Sequence, residues 1–289
     1  MTAPAQDPAV TPVITVQAGA ATDTGLRRRL NEDSYVATSP VFLVADGMGG
    51  HQAGEVASAT VIDEFSRLIG RPSVSVEDLR TTFDRARLGV ERLPNAGGAG
   101  AGTTLTGVAI ADIDGDGYWL AINVGDSRTY RLSQGEFEQI SVDHSVVQEL
   151  IDRGELDQAQ ATRDSRRNVI TRAIGAGSDG DPDYWLIPAE EGDRMLVCSD
   201  GLTGELNHER IDAILREEAN PQAAATRLVH EAILHGGRDN ITALVVDAIS
   251  VLGDGRSSGR GTQPVFPDDD DDLDADTRPR EPRLSEGAR

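Results

Sequence analysis

The sequence predicts an α+β sandwich, and three observations carry that prediction. Four short apolar stretches near residues 103–111, 117–124, 127–132 and 136–140 follow one another across Asp-Gly and Gln-Gly turns, the mark of antiparallel hairpins. The helical periods are grouped apart from these strands instead of alternating with them, which argues against βαβ units and a parallel sheet. Hydrophobic residues make up 38% of 289 residues, enough to build a core for one large domain or two small ones.

Taken in order, strands are expected at 13–20, 34–38 and 41–45. A helix over 52–69 follows, because Ala53, Val56, Ala57, Val61, Phe65 and Leu68 recur at a spacing of three to four. Ser75 with Asp78 three residues on forms a capping-box pattern that starts a second helix, about 76–92. After the four hairpin strands, Ser145 with Gln148 caps a short helix ending near Arg153. Residues 154–182 are polar and irregular, long for a loop, and long loops inside a domain are usually functional. A strand at 193–198, a helix from Asn220-Pro221 to about His235, and a Val/Ile-rich strand at 241–249 complete the body. No internal repeat is visible.

Composition bounds the function. The chain holds 49 acidic and 27 basic residues, net -22, and every basic residue is arginine. So acidic a chain repels phosphate backbones and anionic membranes. Without lysine there is no Walker loop, lysine Schiff base or lysine general base. The single Cys198 excludes an internal disulfide framework and a cysteine-rich zinc site. The expected organisation is a disordered lead at 1–12, a catalytic body at 13–252 and a disordered acidic tail at 253–289 that includes five aspartates from Asp268. The body alone carries 38 acidic and 21 basic residues, net -17, so the acidity belongs mainly to the folded part. No stretch is long and apolar enough to span a bilayer. Met1 to Pro12 lacks the basic and apolar regions of a secretory signal, so a cytoplasmic protein is expected.

The informative feature is a set of aspartates at the ends of apolar runs. Val41 to Ala45 ends in Asp46-Gly47, Leu120 to Val124 in Gly125-Asp126, and Met195 to Cys198 in Ser199-Asp200-Gly201. Asp239-Asn240 precedes the Ile241 strand and Asn31-Glu32-Asp33 precedes the Tyr35 strand. Any one Asp-Gly pair is ordinarily a turn. Five strand-end carboxylates brought together would repel unless a cation sat between them. Oxygen-only ligands suit a hard divalent ion, Mg²⁺ or Mn²⁺. Asp112, Asp114, Asp116 and Gly117 begin like a calcium loop, but Asn123 stands where a bidentate glutamate is needed, so a hairpin turn is expected. The Gly97–Gly102 stretch has P-loop spacing with Thr103 in place of lysine. The Gly47 to Gln52 stretch lacks the third glycine of a dinucleotide fingerprint. Cys198 lacks the arginine six positions on that a cysteine-nucleophile phosphatase needs, and reads as a buried strand residue. Gly125 to Thr129 is no nucleophile elbow, since its final glycine is missing.

Arg28 with Asn31-Glu32-Asp33, Ala45 to His51, Gly102 to Leu105, Val124 to Arg128, Asp143-His144-Ser145, Cys198 to Leu202, and Asp239 to Thr242 appear in one order. Over residues 14–249 this resembles the metal-dependent Ser/Thr protein phosphatases of the 2C type, in their compact bacterial form. The resemblance implies two antiparallel sheets flanked by antiparallel helix pairs, an α-β-β-α sandwich with metals in a cleft at one end. It implies that Asp46 bridges two Mn²⁺ or Mg²⁺ ions, with the Gly47 carbonyl on one of them. Asp200 and Asp239 would complete the first site and Asp33, with Glu32 nearby, the second. Asp126 with Asp200 would form a weaker third. Arg28, five residues before Asp33, would bind the substrate phosphate, and a metal-bridging hydroxide would attack phosphorus.

The implied activity is hydrolysis of phosphoserine and phosphothreonine in proteins, opposing bacterial Ser/Thr kinases, by a monomer that binds no nucleic acid. Alternatives are a partner-switch phosphatase acting on an anti-sigma-factor antagonist, a catalytically weak phosphoprotein-binding module, and a two-metal phosphodiesterase, which the body's charge disfavours. Two departures from the family pattern stand out. Met48 occupies the position where some relatives carry a histidine proposed as general acid, and His51 is three residues away. In the 154–168 flap, Asp164-Ser165 replaces an expected His-Pro. Arg128 is expected in an ion pair near Asp126, and His144, Ser127, Ser199 and Asn240 in supporting positions.

Overall fold

The structure is a computed structural model that describes residues 11–49, 53–93, 100–161, 164–166, 169–253 and 263–264. The chain begins with β1 (Ile14–Asp23), β2 (Asp33–Thr38) and β3 (Val41–Met48), then α1 (Ala53–Ser66) and α2 (Val76–Glu91). The hairpin region holds β4 (Gly102–Thr103), β5 (Leu105–Ile113), β6 (Asp116–Val124), β7 (Arg128–Ser133) and β8 (Glu136–Gln139). Next come α3 (Val146–Asp152), α4 (Gln158–Ala161), β9 (Ile174–Gly175), β10 (Ser178–Asp179), β11 (Asp183–Pro188) and β12 (Arg194–Cys198). The rest is α5 (Asp200–Thr203), α6 (His208–Glu217), α7 (Pro221–His235), β13 (Ile241–Val251) and β14 (Gln263–Pro264).

The strands form a five-stranded sheet, β1-β13-β12-β7-β8, and a nine-stranded sheet, β10-β9-β4-β3-β5-β6-β11-β14, with β2 paired to β3. The expected α+β sandwich is present, with antiparallel pairing in both sheets. Alternation along the strands builds the layers. Phe42 and Val44 face the second sheet and pack with Trp119, Met195, Val197, Leu244 and Val246. Leu43 faces the other way, into a layer with Ala57, Val61 and Phe65 of α1 and Leu79 and Phe83 of α2. Across the molecule, Leu196, Cys198 and Val245 pack under Ile211 and Ile214 of α6 and Leu228 of α7. Both faces of the central strands are covered, which is why they read as unbroken apolar runs. Cys198 is the buried strand residue expected, and burial pushes its thiol up to about 12.

Local signals account for most boundaries. Ser75 accepts from the Asp78 amide while Asp78 bonds back to the Ser75 amide, a complete capping box. Asn220 caps α7 with Pro221 in its first turn. Asp114 and Gly115 both take positive φ, 56° and 91°, so the Asp112 to Gly117 segment is the tight hairpin turn expected and not a calcium loop. Five elements depart from expectation. β11 pairs with β6 through Asp183–Pro188, where no strand is expected, because Asp181-Pro182 and the polar stretch before it look like loop. The 154–182 stretch contains α4 and the two short strands β9 and β10. α6 is also unanticipated, although Asn207 caps it and Ile211, Ile214 and Leu215 carry a helical period. Within the expected tail, Gln263 and Pro264 pair with Leu186 and Trp185 on the free edge of β11. The lead up to residue 10 and the rest of the tail, with its run from Asp268, lie outside the described residues.

A buried clip joins the sheets. The Trp119 indole N–H of β6 donates to Asp193 at 3.0 Å, and the Arg131 guanidinium of β7 donates to both oxygens of the same carboxylate at 3.0 and 2.9 Å. Asp193 is wholly enclosed, so removing it strands a buried cation and a buried N–H. Asp193→Ala is expected to lower the unfolding free energy in urea by about 3 kcal/mol or more, with Asp193→Asn costing less because it keeps one acceptor. A loss below about 1 kcal/mol for the alanine variant would show that the clip is dispensable.

Candidate metal centre

Topology explains why the strand-end aspartates meet. Antiparallel pairing sets the start of β2 beside the end of β3, so Asp33 is the cross-strand partner of Asp46. It also sets the end of β12 beside the start of β13, where Cys198 pairs with Ala243, so Asp200 and Asp239 emerge together. The end of β6 delivers Asp126 to the same end of the sandwich. Two glycines let backbones close up around the cluster. A Cβ on Gly47 would lie 2.2 Å from the Gly54 carbonyl oxygen, and one on Gly201 would lie 1.9 Å from the Asn240 carbonyl oxygen. The second contact presses the Asp200 turn against the Asp239 turn.

The carboxylates are half-buried: protein walls surround them while solvent reaches one side. Burial raises the Asp46 carboxyl well above its ordinary range, reinforced by Asp33, Asp200, Asp126 and Asp239. Burial, then Asp200 and Asp239, pushes Asp33 up to about 7 against two hydroxyl bonds that favour its charge. Burial, then Asp200 and Asp143, pushes Asp126 up to about 7. Asp200 is raised by burial and by Asp239, while a hydrogen bond with Asp46 opposes the shift. Asp33, Asp46, Asp126 and Asp200 are thus all raised by burial and by neighbouring carboxylates, a repulsion that a counter-cation would relieve.

Each carboxylate is held differently. Asp33 Oδ2 accepts from Ser199 Oγ at 2.8 Å and from Thr242 Oγ1 at 2.7 Å, while its buried Oδ1 has no partner. Asp239 accepts from the Asn240 amide at 2.8 Å on one oxygen and from Arg28 Nη2 at 2.7 Å on the other. The Asp46 backbone is clamped: its N–H donates to Thr104 Oγ1 at 3.0 Å, and its carbonyl accepts from Thr103 Oγ1 and from the Thr104 amide, each at 2.9 Å. Asn240 accepts from the Glu32 amide and donates to the Thr24 and Leu30 carbonyls, tying the Arg28 loop to the Asp239 turn. No group of three or more potential ligands is drawn up around one point among the described residues, and Arg28 is bonded to Asp239. The donors nevertheless fit a hard divalent ion: all are oxygens, they repel one another, and one buried carboxylate oxygen is unpartnered.

Supporting residues sit largely as expected. Arg128 forms the expected ion pair, and its partner is Asp143, at 2.6 Å at the shortest. The reason is geometric: three of its bonds go to the two oxygens of Asp143, a fork-to-fork match. His144 Nδ1 accepts from the Gly125 amide at 3.2 Å, so its proton lies on Nε2, 3.0 Å from Asp183. Asp183 is missed by sequence reasoning because its strand is missed. Ser127 bonds Thr104 at 2.8 Å. Met48 is half-buried on β3, and His51 lies outside the described residues. In the flap, the Asp164 carboxylate is engaged by the Arg166 amide and guanidinium.

A family model described as Protein phosphatase 2C matches residues 28–234. The chain is 39% identical over 240 residues to the serine/threonine protein phosphatase PstP of Mycobacterium tuberculosis, covering 80% of this chain and 44% of that one. It therefore spans less than half the length of that relative. It is 32% identical over 239 residues to the serine/threonine phosphatase stp of Listeria monocytogenes, covering 78% of this chain and 93% of that one. The crystal structure of the PstP catalytic domain in complex with two manganese ions superposes with a TM-score of 0.71 at 35% identity, covering 81% of this chain and 99% of that one.

Repulsion within the cluster makes a thermal prediction. Asp46→Asn removes a carboxylate that Asp33, Asp200, Asp126 and Asp239 all repel, so the Tm of EDTA-treated protein is expected to rise by a few degrees. The same variant is expected to lose most of the Tm gain that millimolar Mn²⁺ gives the parent. An EDTA Tm that falls while the Mn²⁺ gain stays intact would contradict a repulsive, cation-accepting cluster.

Proposed function

The chain belongs to the protein phosphatase 2C family, and from that premise we propose that residues 13–252 are a metal-dependent protein phosphatase acting on phosphoserine and phosphothreonine. The observation that carries this reading is the meeting of Asp33, Asp46, Asp126, Asp200 and Asp239 at one end of the sandwich, with Arg28 at its lip. Asp46 with the Gly47 carbonyl, Asp200 and Asp239 would hold one Mn²⁺ or Mg²⁺. Asp33 with Asp46 would hold a second, and Asp126 with Asp200 a weaker third. Bound divalent ions supply positive charge beside the phosphate and lower the pKa of water at neutral pH.

The chain's own residues do the rest. Arg28 is about half exposed (49%) and rests on Asp239, so its guanidinium can reach a phosphate at the lip without leaving that carboxylate's field. Burial works against its charge, but the bond to Asp239 and the charges of Asp239, Asp46 and Glu32 hold the pKa above its ordinary value. The arginine therefore stays a cation, able to bond equatorial phosphate oxygens as negative charge accumulates there. Ser199 and Thr242 fix Asp33 on one oxygen and leave the other oxygen free for a ligand. Thr103 and Thr104 hold the Asp46 backbone in place. Met48 has no proton to offer the leaving serine or threonine oxygen.

A dead binding module does not fit, because nothing in such a protein would offset a cluster of repelling carboxylates. Phosphorylated proteins, including Ser/Thr kinases and their substrates, are the expected partners, met in the cytoplasm by a monomer. No helix among the described residues is long and apolar enough to cross a membrane.

Hydrolysis of p-nitrophenyl phosphate and of a phosphothreonine peptide is expected to require Mn²⁺ or Mg²⁺ and to stop in EDTA. Asp46→Asn and Asp239→Asn should each cut kcat by about 100-fold or more, as loss of a ligand does. Arg28→Ala should raise KM for both substrates. Turnover that survives EDTA, or aspartate variants as active as the parent, would refute the assignment.

A further inference from the structure

Ion pairing in this acidic chain is nearly complete, and the exceptions are placed. Every described arginine except Arg27, Arg29, Arg80 and Arg92 stands in an ion pair with a described carboxylate. Arg80 belongs to α2 and Arg92 caps it. Arg27 and Arg29 flank Arg28, and all three are exposed. Three adjacent arginines, two of them without an ion pair to a described carboxylate, therefore stand together at the lip beside the carboxylate cluster.

The backbone carrying these side chains is pinned on both sides. The Leu26 amide donates to the Gly237 carbonyl at 2.6 Å, and the Leu30 carbonyl accepts from Asn240 Nδ2 at 2.8 Å. The Gly25 amide bonds Asp23 at 2.7 Å and Asn31 bonds Thr22 at 2.8 Å. A fixed backbone with uncommitted cationic side chains loses little order when it binds. Beside it, Leu26 packs over Gly237 yet stays 66% exposed.

We propose that Arg27 and Arg29 form a specificity subsite for an acidic side chain flanking the phosphorylated residue, with Leu26 as an adjoining apolar contact. This rests on the phosphatase reading and adds a substrate class to it, acidic phosphoprotein segments. The body's net charge of -17 repels such a segment over most of the surface, so attraction concentrates on this lip and orients the substrate as well as holding it. Because the contacts are exposed, they act on encounter and KM and weaken with salt.

The test uses the full chain with Mn²⁺ and three phosphothreonine peptides that differ only in acidic, neutral or arginine flanks. p-Nitrophenyl phosphate, which has no flanks, is the control. The parent is expected to prefer the acidic over the neutral peptide by about 3- to 10-fold in kcat/KM, through KM, with the preference shrinking in 0.5 M NaCl. The Arg27→Gln/Arg29→Gln variant should bring the peptides within about twofold and leave p-nitrophenyl phosphate hydrolysis unchanged. A parent active on the control but indifferent to flanks would overturn the subsite while leaving the phosphatase reading intact. So would a preference that survives in the double variant. A double variant faster on the acidic peptide would show that an acidic segment of the chain itself, such as Asp268 to Asp272, holds the patch, and would also overturn it. Inactivity on the control and on every peptide would remove the phosphatase reading and the subsite with it.

Discussion

Mutual repulsion among the carboxylates at one end of the sandwich is the constraint on which the rest of the structure depends. Four of them are walled in closely enough to be raised above their ordinary range, and Arg28 is the only arginine bonded to any of the five ligand candidates among the described residues. Such a cluster is not held by its own contacts. It is held by strands whose faces are buried on both sides, by hydroxyls that fix one oxygen of Asp33, and by glycines that bring adjoining turns closer than any side chain allows. The apolar layers above and below supply stability that the cluster subtracts.

Arginine serves two purposes in this chain. In the interior it bridges groups that a point charge could not reach together: Arg194 bonds Asp247 and also the carbonyls of Leu215 and Ala219, tying the end of α6 to the sheet. At the cleft it is the only side-chain cation other than a protonated histidine that the composition permits for a phosphate. The missing lysine thus bears on both stability and recognition.

Much of the fold and most of the candidate site could be read from residue order. The hairpins announced themselves because Asp114-Gly115 and Gln134-Gly135 need positive φ, and only a few residue types supply it. The site was legible because its carboxylates end apolar runs, a placement that short-range pattern records. β11 was illegible because Tyr184, Trp185 and Ile187 derive their strand character from pairing with β6, some sixty residues earlier in the chain. Asp183 was lost with it, and so was its bond to His144. The ion pair of Arg128 was legible but its partner was not, because the fold brings Asp143, 15 positions away, to the guanidinium with both oxygens. The Arg28 to Asp239 contact, 211 positions apart, has no local signal at all.

The antiparallel layout has a further consequence, for change over time. β5–β6 and β7–β8 start or finish at the carboxylate end, so their turns at Asp114-Gly115 and Gln134-Gly135 lie at the opposite pole. There, a Cβ added at Gly115 or Gly135 would meet nothing within 4 Å. One pole is crowded to the limit of backbone contact and the other stands open. Lengthened loops, grafted peptides or fused domains are tolerated at exposed tips of this kind. New attachments can therefore accumulate at that pole while the chemistry at the other keeps its spacing.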